Sequence, residues 1–156
     1  GASVMGPMAE VVFSSTQYLS EDDLRAMAVF LNALPPQGAP PTAATKPSED
    51  GSRQGAKLYE QHCADCHGDQ GQGAPGAYPA LAGNRAVTMA VPANVIRVVI
   101  SGGFPPSTGG NPRPFGMPPF GHVLSDAQVV SVVSYIRGAW GNAAPPVTQL
   151  DVMSYR

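Results

Sequence analysis

Apolar positions along this chain gather into a few short helical patterns separated by glycine- and proline-rich stretches. The clearest is the last. Val129, Val132, Val133 and Ile136 recur at the spacing of one helix face. In front of them, Ser125-Asp126-Ala127-Gln128 reads as a capping box, in which the serine and Gln128 side chains each satisfy a backbone N–H of the other. The helix should end near Gly138. Its β-branched residues lower its intrinsic propensity, so tertiary packing must hold it. Residues 92–100 predict a second helix, because proline suits a first turn. Val95, Val98 and Val99 mark its buried face, and Gly102-Gly103 end it. A third pattern, from about Gln54 to Cys63, turns Leu58 and Tyr59 inward and runs into a glycine-rich loop over residues 68–76. No apolar run approaches the length of a bilayer span.

Composition narrows the class. With 156 residues, 18 of them glycine and 17 proline, much of the chain must be loop. That is expected where a cofactor replaces much of an apolar core. Nine basic residues against eleven acidic ones leave no basic patch for nucleic acid. The charges are uneven. Residues 1–69 carry nine of the acids, and from Arg85 onward five basic residues face two acids. A dipolar surface of this kind can orient docking, although an ordinary solvated face explains it as well.

The chemistry sits at residues 63–67, Cys-Ala-Asp-Cys-His. This is the C-x-x-C-H attachment site of a c-type haem. Two thiols add to the two porphyrin vinyl groups, and the adjacent imidazole becomes the fixed axial ligand. A thioredoxin-like pair requires a strand–helix context that does not precede Cys63. A structural zinc site needs four ligands, yet only His62 and His122 remain and there is no third cysteine. A disulfide within the motif would close a very tight loop and leave His67 without a role. A low-spin electron-transfer haem also needs a sixth ligand, usually methionine in small cytochromes. Met89, Met117 and Met153 follow the motif. Met117 lies in Phe115-Gly116-Met117-Pro118-Pro119-Phe120, where glycine and prolines enforce a stiff, non-helical loop. Met89 lacks such framing, Met153 lies in the tail, and His122 is a rival that follows the loop instead of lying inside it.

These residues resemble the c-type cytochromes, with Gly116-Met117-Pro118-Pro119-Phe120 similar to their methionine-ligand loop. The resemblance implies an all-α cytochrome c fold, with long loops around one covalent haem c. It implies thioethers at Cys63 and Cys66, and His67 and Met117 as axial ligands. The Pro79 carbonyl would accept the His67 ring N–H. Tyr78, Leu81, Phe104, Phe115 and Phe120 would shield the ring, and Arg97 and Trp140 would reach the propionates. A helix-surface arginine and a packed tryptophan are the plainer readings of those last two.

A repeat extends the resemblance. Residues 19–31, Leu-Ser-Glu-Asp-Asp-Leu-Arg-Ala-Met-Ala-Val-Phe-Leu, align with residues 124–136, Leu-Ser-Asp-Ala-Gln-Val-Val-Ser-Val-Val-Ser-Tyr-Ile, at an offset of 105. Upstream, Gly6-Pro7-Met8 stands where a ligand loop would. Residues 1–34 are therefore expected to be the end of a preceding cytochrome domain without its haem motif. A linker is expected at 35–50 and a mono-haem domain with a tail at 51–156. The alternative is a single domain with an N-terminal amphipathic helix.

The wider pattern is similar to the cytochrome subunit of bacterial membrane-bound dehydrogenases that oxidise alcohols, sugars or gluconate. Residues 8–35, 78–84, 116–120 and 135–142 carry it. What it implies is electron transfer and not catalysis. The donor would be a flavin or PQQ dehydrogenase subunit, the relay would include other haem domains of the same subunit, and the acceptor would be quinone or an oxidase. Haem attachment to this motif usually occurs outside the cytoplasm. The expected location is thus the periplasm, attached to the inner membrane through the parent complex, with a signal peptide removed or preceding Gly1. A free-standing soluble carrier, or a haem sensor or enzyme with an exchangeable axial ligand, are the competing readings.

Overall fold

The computed structural model describes residues 4–35 and 48–156. In chain order the helices are α1 (Pro7–Ser14), α2 (Glu21–Ala33), α3 (Glu49–His62), α4 (Ala64–His67), α5 (Arg85–Thr88), α6 (Ala93–Ser101), α7 (Asp126–Gly138) and α8 (Gln149–Ser154). Among the described residues β pairing is limited to isolated bridges, one of which joins Gly103 to Met117. The architecture is all-α, as a cytochrome c fold is expected to be.

Helix α3 starts earlier than its apolar residues suggest. Ser48 accepts the Gly51 N–H, and Glu49 and Asp50 sit in the first turn, where the helix dipole favours negative charge. The expected linker over 35–50 therefore loses its last two residues to this helix; residues 36–47 lie outside those described. In α7 the capping box is present, with both the Ser125 and the Gln128 side chains bonded. Helix α6 follows Pro92 and stops at Gly102, whose φ is 65°. On its expected inward face Val95 and Val99 are buried and Val98 is half-buried, and all three line the cavity described below; Ile96 is buried as well.

The centre of the fold is the crossing of α3 over α7, made possible by Gly55. A Cβ on Gly55 would lie 2.3 Å from the Ser131 carbonyl oxygen and 2.6 Å from Tyr135 Cβ. Mid-helix glycine carries an entropic penalty, and here the close backbone approach offsets it. Gly55→Ala should destabilise the holoprotein by about 1–3 kcal/mol through overpacking. Denaturant unfolding followed by haem absorbance would detect this, and an unchanged midpoint would contradict the tight crossing.

The two repeated segments adopt the same local structure with opposite burial. Ser20 caps α2 by accepting the Asp23 N–H, as Ser125 caps α7. Yet Leu24, Met27 and Leu31 are 41%, 47% and 61% exposed, whereas their counterparts Val129, Val132 and Ile136 are 0%, 1% and 3% exposed. Capping and periodicity are local properties that suffice to form both helices. Burial depends on a partner, and α2 has no buried residue.

The tail beyond α7 folds back as a further packed layer. Ser134 Oγ accepts the Val147 N–H at 3.0 Å. Asn142 accepts the Gly83 N–H and donates to the Leu81 and Ile136 carbonyls. Val152 of α8 is fully buried. Neither α5 nor α8 is expected from apolar periodicity. Both are one to two turns long, and side-chain caps at Asn84 and Thr148 set them up.

Candidate functional site

Helix α3 delivers Cys63 at its C-terminal end, and the single turn of α4 follows at once. The backbone bonds from Cys66 and His67 back to the Cys63 carbonyl, at 3.2 and 2.9 Å, wind the motif into that turn. Residues three and four apart share a helix face, so Cys63, Cys66 and His67 converge. All three line one cavity of about 490 Å³ whose lining is mostly apolar.

His67 is buried, and its Nδ1 lies 2.9 Å from the Pro79 carbonyl oxygen. A carbonyl only accepts, so Nδ1–H donates. That leaves the Nε2 lone pair as the ring's free ligand atom. The Pro79 carbonyl is held by a compact loop. Gly73 N–H donates to the His67 carbonyl at 2.7 Å, and the Leu81 and Ala82 N–H groups both donate to the Gly71 carbonyl. Gly73 has φ 66°, and a Cβ there would lie 2.5 Å from the Tyr78 carbonyl oxygen, so only glycine fits. Tyr59 closes the loop from below, donating its hydroxyl to the Gly68 carbonyl at 2.6 Å. Burial pushes the Tyr59 phenol well above its ordinary range, with the nearby Cys63 adding to the effect. Burial likewise raises the Cys63 thiol to about 11, helped by Cys66.

The Met117 loop is pinned to the end of α6. Met117 N–H donates to the Gly103 carbonyl at 2.8 Å, and Gly103 N–H donates back to Met117 at 3.0 Å. Beyond it, Phe120 and Gly121 donate to the Val99 and Ile100 carbonyls, both at 2.9 Å. A Cβ on Gly102 would lie 2.4 Å from the Met117 carbonyl oxygen. The Gly102-Gly103 pair thus stops the helix and also seats this loop, and only the first role is legible in sequence.

Tyr78, Pro79, Leu81, Arg97, Phe115, Met117 and Phe120 all line the cavity. Tyr78 and Phe115 pack together with ring centroids 5.2 Å apart. Two expected residues stand elsewhere. Phe104 is 74% exposed and lies on Gly116, covering the loop from outside. Trp140 packs against Tyr59 and Tyr135, with centroids at 4.7 and 5.4 Å, and against Gly71. It supports the His67 loop and does not border the cavity; the turn after α7 places Trp140 itself in a left-handed backbone conformation, φ 52°, ahead of Gly141 at φ 85°. The Arg97 guanidinium sits over the Tyr155 ring, 5.2 Å from its centroid, and Tyr155 is a wall residue that gave no sequence signal.

Met89 and Met153 are exposed and off the cavity, as is His122. One methionine that sequence reasoning passed over, Met5, lines it. Among the described residues no three His, Cys, Asp or Glu side chains cluster to hold a metal ion by themselves. A porphyrin fits this lining instead: two thiols, the His67 imidazole oriented by Pro79, and the Met117 thioether around one mostly apolar cavity, with His62 and Met5 also on its wall. Among the described residues no helix is long and apolar enough to cross a membrane.

Comparison with known proteins agrees. The domain family described as cytochrome c oxidase, cbb3-type, subunit III matches residues 51–136. The chain is 39% identical, over 99% of its length and 35% of the relative's, to the cytochrome c subunit of a quinone alcohol dehydrogenase from Gluconacetobacter polyoxogenes. It is 37% identical, over 99% of its length and 37% of the relative's, to the gluconate 2-dehydrogenase cytochrome c subunit of Pantoea cypripedii. It is also 37% identical to cytochrome c-552 of Thermus thermophilus, over 57% of this chain and 70% of that one. The chain therefore spans little more than a third of the dehydrogenase subunits it matches. With the family match covering more than half of its residues, the chain belongs to this cytochrome c domain family and carries electrons on a covalently held c-type haem.

Proposed function

We propose that His67 and Met117 are the two axial ligands, and that this domain is the terminal haem domain of a periplasmic dehydrogenase cytochrome subunit. The observation that carries the ligand assignment is the seat of Met117. Of the three methionines after the motif, it alone borders the cavity, on a loop fixed by both of its backbone bonds to Gly103. When bound, the haem supplies one iron that alternates between the ferrous and ferric states. The chain's own residues decide what else happens there. His67, oriented by Pro79, offers Nε2; the hydrogen bond fixes the tautomer and raises the ring's basicity. The Met117 thioether favours the ferrous state and raises the potential above that of a bis-histidine site. With both positions filled, no site remains for a substrate, so the domain transfers electrons and performs no catalysis.

The place in a larger relay rests on the relatives and on the repeat. Two of the relatives are named as cytochrome subunits of dehydrogenases, and they are almost three times as long as this chain. Residues 1–34 read as the end of a preceding haem domain, with α2 in the role that α7 plays here. Electrons then pass from a flavin or PQQ subunit through further haem domains towards quinone or an oxidase, at the periplasmic face of the inner membrane.

Met117→Ala tests the assignment. The haem should remain attached, because Cys63 and Cys66 are untouched. The midpoint potential should fall, the weak long-wavelength ferric band should disappear, and carbon monoxide should bind readily. A variant that keeps the native potential and spectrum would refute Met117 as ligand. Strong carbon monoxide binding by the unmodified protein at neutral pH would favour an exchangeable-ligand sensor.

A further inference from the structure

We propose that Met5, Gly6 and Pro7 form a shield over the haem cavity, seated on the Met117 loop, and that Met5 raises the haem's potential by excluding water. These three residues precede the motif by more than fifty positions yet line the same cavity as Cys63, His67 and Met117. Met5 is half-buried, whereas its neighbours Val4 and Met8 are exposed. Its side chain rests on Gly103. A Cβ on Gly103 would lie 3.3 Å from the Met5 sulfur and 3.9 and 4.0 Å from its Cβ and Cγ. Gly103 is the residue that exchanges both backbone hydrogen bonds with Met117. Met5 therefore bears directly on the strut of the proposed ligand loop.

The chain is bent to make this contact. Gly6 has φ 64° and ψ −147°, a conformation open to glycine and strained for other residues. This elbow points Met5 at the cavity and starts α1 at Pro7. Helices α1 and α2 have no buried residue, so the Met5 contact is not a by-product of a packed N-terminal core. An apolar side chain closing a gap beside the iron site excludes water. The lower local polarity disfavours the charged ferric form and raises the potential. It also narrows the path by which small ligands reach the iron.

This inference rests on the seat of the haem and on the Met117 reading above, and one set of variants separates them. In the full-length holoprotein, Met5→Ser should lower the midpoint potential and speed carbon monoxide binding in a Met117→Ala background, while the haem stays attached. Met5→Leu keeps apolar bulk without sulfur and should retain the wild-type potential and low-spin spectrum. An unchanged potential in Met5→Ser would overturn the shield. Loss of the low-spin spectrum in Met5→Leu would overturn it too, since Met5 would then be the ligand, and Met117→Ala would correspondingly leave the spectrum intact. If the shield alone fails, Met117→Ala still shifts the spectrum and Met5→Ser does nothing.

Discussion

His67→Ala should yield a chain without covalently bound haem. The substitution removes three things at once. It takes away the only imidazole on the α4 turn, and with it the nitrogen that iron requires on that side of the cavity. It destroys the C-x-x-C-H pattern by which the haem is attached. It also leaves the half-buried Pro79 carbonyl without the partner that now sits 2.9 Å away, a loss on the scale of one hydrogen bond, about 1 kcal/mol. The check is haem absorbance per mole of purified protein, together with haem staining after denaturing electrophoresis. A normal yield of pigment that survives acidified acetone would contradict the assignment of His67. Pro79→Ala leaves the accepting carbonyl in place. It should retain the haem and separate the hydrogen bond from the proline ring.

What could be read from the sequence and what could not divides along a physical line. The attachment motif, the α7 capping box and the Met117 loop were legible because each is a local arrangement of residue types. Capping needs a serine three residues before a glutamine, and it formed at Ser125 with both bonds in place. Long-range choices were not legible. Trp140 could have faced the cavity or the α3–α7 crossing; it packs at the crossing from a left-handed turn at Trp140 and Gly141, and no periodicity announces that. Met5 was passed over because its seat depends on Gly103, almost a hundred residues away. Residues 19–31 and 124–136 make the same point from a single pattern: sequence specified two helices of one kind, and only the presence of a partner buried one of them.

Arg137 is the largest stability prediction, and sequence marked it only as part of the tail motif. It is the bulkiest of the fully buried side chains, at 1% exposure. Its Nη1 donates to the Val87 carbonyl at 2.7 Å and to the Met89 carbonyl at 3.0 Å, and its Nε donates to Pro145 at 2.8 Å. One guanidinium therefore fastens the last turn of α7 to α5, to the segment entering α6, and to the tail. Burial lowers its pKa from the ordinary arginine value, and the Asp151 carboxylate partly opposes this. Its position at the C-terminal end of α7 adds a favourable interaction with the helix dipole. Arg137→Ala opens a cavity and strands three carbonyl oxygens at once, so the loss should reach about 3–5 kcal/mol, as when one member of a buried polar set is removed. Arg137→Met keeps most of the volume but none of the donors, and it should recover only the cavity part of that loss. Because Arg137 does not border the haem cavity, the midpoint potential of any folded variant should stay near the native value while the denaturation midpoint falls. A loss below about 1 kcal/mol for Arg137→Ala, the size of one ordinary hydrogen bond, would mean that the tail is not held by this residue. A large shift in potential without loss of stability would place Arg137 at the haem instead.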